Sequence, residues 1–192
     1  MAIRSFLAFE LPPDIKRMVK DISEDIRRTR LDLKWVKVDN IHLTVVFMGN
    51  IRSEDVRAIG EEAGDVCVVF EPFDIALKGL GVFPNTRRPR VLWLGLEMET
   101  ERISSFRDSL QERLLDFVGR EEKRAFTPHL TLGRFRKPER HDPLLGDIIS
   151  RYSDIKGPVG RLEELVMFKS ELRSGGAEYT KLKSFPLKGI IG

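Results

Sequence analysis

The sequence predicts an α+β fold made of two copies of one arrangement of strands and helices. The string His-Leu-Thr, followed by Val or Leu, occupies residues 42–45 and again residues 129–132, 87 positions apart. Sliding the chain by those 87 positions lays apolar runs on apolar runs and helical patterns on helical patterns. Each half then contains a strand, a helix, a histidine-bearing strand, a second helix and a further strand, which indicates an internal duplication.

In the first half, residues 3–9 are an apolar run typical of a buried strand. Residues 13–30 carry apolar side chains at helical spacing behind Pro12 and Pro13, a favourable helix start. Residues 53–66 predict a second helix, and the stretch after Pro72 predicts the last strand of this half. Under the 87-residue offset, residues 3–9 correspond to residues 90–96.

The second half repeats this order. Residues 91–96, 162–172 and 179–187 predict strands, residues 100–117 predict a helix behind Thr100, and Asp142-Pro143 begins another helix. Ser174-Gly175-Gly176 predicts a hairpin turn, and residues 83–89 predict an exposed loop that joins the halves. Because no low-complexity linker separates the repeats, at roughly 3–83 and 90–172, we expect residues 1–192 to form one domain of two lobes.

Each motif string presents an imidazole and a hydroxyl on one side of its strand. Side chains alternate along a strand, so His42 and Thr44 point one way while Leu43 and Val45 point into a core. The same holds for His129 and Thr131. If the two strands face each other, two imidazoles and two hydroxyls surround one cavity, which suits proton transfer to and from oxygens on phosphorus.

Other uses of these residues remain open at this stage. A single histidine on a strand is usually a hydrogen-bonded structural residue, and threonine is common in strands. Two histidines can also bind zinc, but a zinc site needs a third protein ligand, and the chain has neither a cysteine pair nor a His-x-x-x-His spacing. The third histidine, His141, has no comparable frame, and Cys67 sits in an apolar run typical of a buried, unreactive residue.

The residues around the two strings resemble those of the two-histidine phosphoesterase superfamily. Within it, the chain is most similar to the bacterial and archaeal 2′-5′ RNA ligase family, also called RNA 2′,3′-cyclic phosphodiesterases. Met48 departs from the leucine that this family usually has, which is a conservative change. The resemblance rests on Arg4-Ser5-Phe6-Leu7-Ala8-Phe9, Trp35-Val36, Phe47-Met48-Gly49, Phe83-Pro84, Arg90-Val91-Leu92-Trp93, Thr127-Pro128 and Gly133-Arg134, together with the two motif strings.

The resemblance implies largely antiparallel sheets lining a central cleft, with the helices outside. It implies hydrolysis of an RNA-terminal 2′,3′-cyclic phosphate to a 2′-phosphomonoester, with no metal and no cofactor. In the family's assignment His129 is the proton acceptor, His42 the proton donor, and Thr44 and Thr131 hold phosphate oxygens. Two alternatives are a ligase that joins RNA halves, such as tRNA fragments, through a 2′-5′ bond, and a nucleotide- or RNA-binding module without catalysis.

Basic residues are concentrated near the second motif. Seven Lys or Arg against three Glu lie in residues 120–141, and Arg87, Arg88 and Arg90 form another cluster, although the net charge is only +3. Strict alternation from His129 places Arg134 and Arg136 away from the cleft, unless a bulge at Gly133 turns Arg134 back to contact phosphate. Phe9, Trp35, Phe83 and Trp93 are candidates for stacking a base or for the core.

The composition is that of a globular protein, with 41% hydrophobic and 33% charged residues. Neither an export signal nor a membrane-length apolar run is evident, so the sequence favours a cytoplasmic protein that does not bind membranes. The resemblance implies that the partner is RNA with a 2′,3′-cyclic phosphate end, and we expect the protein to be a monomer.

The composition also predicts thermal stability. The chain has one glutamine, three asparagines and one cysteine beside its many charged residues, as is typical of proteins from hyperthermophiles. We expect thermal unfolding above about 80 °C, to be measured by calorimetry or circular dichroism. A midpoint near 55 °C, about that of mesophilic domains, would contradict this thermophile assignment.

Overall fold

The computed structural model describes residues 1–118, 122–137, 143–174 and 176–190. Four α-helices and nine strands lie in this part of the chain, together with 3₁₀ turns at Val38–Asn40 and Ser53–Asp55. In chain order the elements are β1 (Ala2–Glu10), α1 (Pro13–Arg27), β2 (Leu33–Trp35), β3 (His42–Arg52), α2 (Val56–Val69), β4 (Phe73–Phe83), β5 (Val91–Glu97), α3 (Thr100–Val118), β6 (His129–Phe135), α4 (Leu144–Arg151), β7 (Gly160–Leu162), β8 (Glu164–Arg173) and β9 (Gly176–Pro186).

The α+β prediction is confirmed, and most predicted elements are present with shifted ends. The first helix ends at Arg27, three residues early, and Arg30 has a positive φ of 64° in the turn that follows. The strand predicted at 162–172 is two strands, because pairing is interrupted at Glu163. The predicted hairpin turn lies between β8 and β9, and the pair nearest the turn is Arg173 with Gly176. Gly175 lies outside the described residues. His141 and Asp142 also lie outside them.

All described strand pairs are antiparallel and form one sheet in the order β7-β4-β5-β6-β3-β1-β8-β9, with β2 added beside β6. The two motif strands, β6 and β3, are neighbours at its centre. Outward from β6 come β5 and then β4, whereas outward from β3 come β1 and then β8. The two sequence halves therefore exchange their last strands, and each lobe of the sheet contains strands of both halves.

The 87-residue offset is wrong by two residues for the first strand of each half. Ala8 pairs with Thr44, and Trp93 pairs with Thr131, so equivalent residues of β1 and β5 are 85 positions apart. Nearly every residue in the middle of these strands is buried, on both faces of the sheet. A continuous apolar run has no alternation that would define its register, which explains the error.

One large apolar core lies between the sheet and the helices. Its fully buried members include Phe9, Phe73 and Phe106, whose rings contact one another, while Cys67 is buried in it as predicted. A second, small cluster lies on the opposite face of the sheet and contains Phe6, Ala8, Val166 and Phe168, with Tyr179 packed against it. That opposite face carries the cleft.

Glycine at position 95 of β5 is required by a close backbone approach. Gly95 pairs with His129 on one side, and a Cβ atom there would lie 2.3 Å from the carbonyl oxygen of Lys78 on the other side. We expect Gly95→Ala to lower the free energy of unfolding by about 1–3 kcal/mol, as overpacking does. Gly146→Ala, where the new Cβ meets nothing within 4 Å inside α4, is the control and should be neutral or stabilising. Denaturant unfolding of both variants measures this, and equal stabilities would contradict it.

Candidate active site

The two motif strands meet through one pair of residues, Leu43 and Leu130. Extending this antiparallel register by one residue in each direction places His42 across from Thr131, and His129 across from Thr44. All four side chains line one cavity of about 430 Å³, while Leu43 and Leu130 are fully buried on the other face. The cleft geometry expected from the two strings is therefore present.

Both imidazoles are held in the same way. The Nδ1 atom of His42 donates to the carbonyl oxygen of Asn40 at 2.7 Å, and that of His129 donates to the carbonyl oxygen of Thr127, also at 2.7 Å. A carbonyl oxygen only accepts, so Nδ1 carries a proton in each ring and Nε2 is the atom that gains or loses one. Each ring can therefore act as a base when neutral and as an acid when charged.

Aromatic side chains cover both histidines. The Phe6 ring stacks on His42 with centroids 4.8 Å apart, and Tyr179 meets His42 edge-on at 5.4 Å. Phe83 meets the His129 ring edge-on at 5.0 Å. Burial lowers the pKa of both histidines, and it outweighs the opposing effect of the carbonyl contacts at Nδ1. The positive charge of the other ring lowers the pKa of His42 further, and that of Arg134 does so for His129.

A bulge follows the motif threonine in each strand. On β3, the neighbouring strand β1 pairs with Thr44 and Val46 but not with Val45. On β6, the neighbouring strand β5 pairs with Thr131 and Gly133 but not with Leu132. The extra residue reverses the alternation beyond it, so the next cleft-facing positions are Phe47 and Arg134. The bulge next to Gly133 thus brings Arg134 into the cavity, contrary to strict alternation.

The other basic residues singled out in the sequence have different positions. Arg136 lies outside the cavity and forms an ion pair with Asp32 at 3.4 Å. The Arg124 guanidinium donates two hydrogen bonds to the Glu122 carboxylate, and Arg87 and Arg88 donate their backbone N–H groups to the Asn85 side chain in a turn. None of these residues lines the cavity.

Three basic residues that the sequence analysis did not single out line the cavity, namely Arg4, Lys34 and Lys37. For Arg4 the signal was the alternation along β1, where Arg4 and Phe6 share the face of Ala8, but only the pairing of Ala8 with Thr44 shows that this is the cleft face. Alternation gives no signal for the two lysines, because Lys34 and its neighbour Trp35 both line the cavity and Lys37 lies outside β2. Among the aromatic candidates, Trp35 lines the cavity, Phe83 and Trp93 pack beside His129, and Phe9 is in the core.

No group of three or more His, Cys, Asp or Glu side chains suited to a metal ion occurs among the described residues. No described helix is both long enough and apolar enough to cross a membrane.

The family model for LigT-like phosphoesterases matches residues 9–93 and again residues 94–179. The chain belongs to this family. The two matches of the family model follow each other directly and meet within β5, in agreement with the duplication seen in the sequence.

Several curated relatives are named RNA 2′,3′-cyclic phosphodiesterase. That of Methanothermobacter thermautotrophicus is 33% identical over 97% of this chain and 100% of its own length. That of Archaeoglobus fulgidus is 31% identical over 95% of this chain and 99% of its own length. A crystal structure of a Thermus thermophilus protein superimposes with a TM-score of 0.79 at 28% identity, over 97% of this chain and 98% of that one. Escherichia coli LigT complexed with phosphate has the same fold, with a TM-score of 0.69 at 23% identity over 97% of this chain and 98% of that one.

The covered position of the histidines predicts how they titrate. In the ligand-free protein we expect both imidazoles to titrate below pH 6.5, the ordinary value, because burial disfavours the charged ring. Inorganic phosphate in the cleft should raise both pKa values, because an anion favours the charged ring. Nuclear magnetic resonance of the ring nitrogens, assigned with His42→Asn and His129→Asn, measures both effects. An imidazole that titrates above pH 6.5 without ligand would contradict the expectation.

Proposed function

We propose that this protein hydrolyses the 2′,3′-cyclic phosphate at the end of an RNA to a 2′-phosphomonoester, by acid and base catalysis with His42 and His129. The observation that carries the proposal is the paired geometry. Two imidazoles, each with Nδ1 bonded to a backbone carbonyl and Nε2 therefore left as the titrating atom, line one cavity that is also lined by two threonines and several cations. The names of the curated relatives support the same activity.

In the proposed reaction a water molecule attacks phosphorus opposite O3′. His129 Nε2 takes the proton of the water as the new P–O bond forms. The P–O3′ bond breaks, and O3′ takes the proton of His42 Nε2. The product retains the phosphate on O2′ and has a free 3′-hydroxyl. Proton exchange with solvent then returns His129 to its neutral form and His42 to its charged form.

The two threonines and Arg134 have supporting roles in this proposal. Thr44 lies across from His129, and Thr131 lies across from His42, so each hydroxyl is positioned beside the path of one proton. Their O–H groups would hold the nonbridging oxygens as negative charge grows in the transition state. The Arg134 guanidinium is suited to binding a phosphate group of the RNA by two parallel hydrogen bonds. No step needs a metal or an organic cofactor.

The same site chemistry permits ligation when an RNA 5′-hydroxyl replaces water, which would give a 2′-5′ bond. Water is present at about 55 M, so ligation requires the second RNA end to be held with a comparable effective concentration. Measuring both products from one substrate with a cyclic end separates the two outcomes. Micromolar binding without turnover would favour the binding module instead.

Histidine variants test the mechanism. We expect His42→Ala and His129→Ala each to reduce kcat/KM by about 10²–10⁴-fold, the usual yield of positioned proton transfer, and the double variant to be little worse, since the pair acts as a unit. His141→Ala is the matched control.

The plot of kcat/KM against pH for the unmodified protein should be a bell with its maximum below pH 6.5, because one ring must be neutral and the other charged while both pKa values are lowered.

Two further results would overturn this mechanism. Hydrolysis that leaves a 3′-phosphate would show that O2′, and not O3′, is the leaving oxygen. Activity that is abolished by EDTA and restored by zinc would show that a metal replaces the proposed acid and base.

A further inference from the structure

Two cations face each other directly across neighbouring strands inside the cavity. Lys34 of β2 is the register partner of Arg134 of β6, and both side chains line the cavity. Directly opposed residues of an antiparallel pair have Cβ atoms about 4.5–5.5 Å apart, and like charges at such positions are destabilising. An anion between the two side chains would remove that repulsion.

The next pair on the same face of these two strands has the opposite character. Arg136 donates its backbone N–H to the carbonyl oxygen of Asp32, and its side chain forms an ion pair with the Asp32 carboxylate. Asp32 and Arg136 are two residues beyond Lys34 and Arg134, on the same face of the strands, but they lie outside the cavity. Charges are therefore matched outside the cavity and mismatched inside it.

The cavity as a whole has a surplus of positive charge. Arg4, Lys34, Lys37 and Arg134 line it, and no carboxylate does so among the described residues. Within the same part of the chain, none of these four cations forms an ion pair with a carboxylate. A cyclic phosphate carries one negative charge, so it leaves most of this positive charge without a counterion.

We propose that Lys34 and Arg134 together bind the phosphodiester on the 5′ side of the terminal nucleotide, so that the protein recognises an RNA chain rather than a lone cyclic nucleotide. This inference rests on the proposed function for the orientation of the RNA. Arg134 lies three residues along β6 from Thr131, which is at most about 10 Å of strand and on the order of one nucleotide. Lys34 supplies a point charge, and Arg134 can bind two phosphate oxygens at once.

The experiment compares adenosine 2′,3′-cyclic phosphate with the same nucleotide carrying a 5′-phosphate, which stands in for the upstream phosphodiester. In the unmodified protein we expect the 5′-phosphate to raise kcat/KM about tenfold at low salt, as expected for one charge-assisted contact partly exposed to solvent. In Lys34→Gln the gain should fall to about twofold. Lys156→Gln, which removes an exposed lysine outside the cavity, is the matched control and should retain the full gain.

A binding measurement separates this inference from the hydrolase proposal. Calorimetric affinities of adenosine 2′-monophosphate and adenosine 2′,5′-bisphosphate should show the same ratio and the same loss in Lys34→Gln, without any turnover. If neither cyclic nucleotide is hydrolysed, the proposed function fails, and the binding ratio still decides the phosphate site. A ratio near one in the unmodified protein, or an unchanged ratio in Lys34→Gln, would overturn the inference. The thermal midpoint of Lys34→Gln should be equal or higher, because the variant removes a like-charge pair.

Discussion

The pairing of Leu43 with Leu130 is the contact on which the rest of the site depends. It joins the two lobes of the sheet at its centre and sets the register between the two motif strands. Because side chains alternate, this register places each histidine across from the threonine of the other motif. A shift of either strand by one residue would move its histidine and threonine into the core and expose its leucine, at a large cost in buried apolar area. Burial of Leu43 and Leu130 thus maintains the arrangement of the polar groups.

Strand exchange links the two halves of the sequence to each other. β4 of the first half pairs with β5 of the second, and β8 of the second half pairs with β1 of the first. Because the last strand of each half pairs with the first strand of the other half, the two halves share one hydrophobic core and do not separate without breaking these pairs. The cavity walls come from both halves and are supported on their other face by that core.

The pseudo-symmetry of the backbone is broken by the side chains. The two bulges occupy equivalent places, yet the residue that each presents to the cleft is aromatic on one side and cationic on the other, Phe47 and Arg134. The Arg4 guanidinium lies over the Phe47 ring at 4.9 Å, so the lobe that contains β3 also contributes a cation, from the neighbouring strand β1. This asymmetry would let a nucleotide bind in one preferred direction between two similar histidines, which is what the proposed acid and base roles require.

The sequence by itself determined the fold class, the duplication, the helices and the face that each motif histidine shares with its own threonine, His42 with Thr44 and His129 with Thr131. These features depend on local periodicity, and an alternating strand with polar groups on one side leaves no second register. Only the tertiary structure decided the 85-residue register of β1 and β5, the exchange of strands and the cleft position of Arg134. The first strands are apolar on both faces, and a bulge reverses alternation without changing composition. Lys34 shows the same limit, because a lysine on a short strand becomes informative only when its register partner is known to be an arginine.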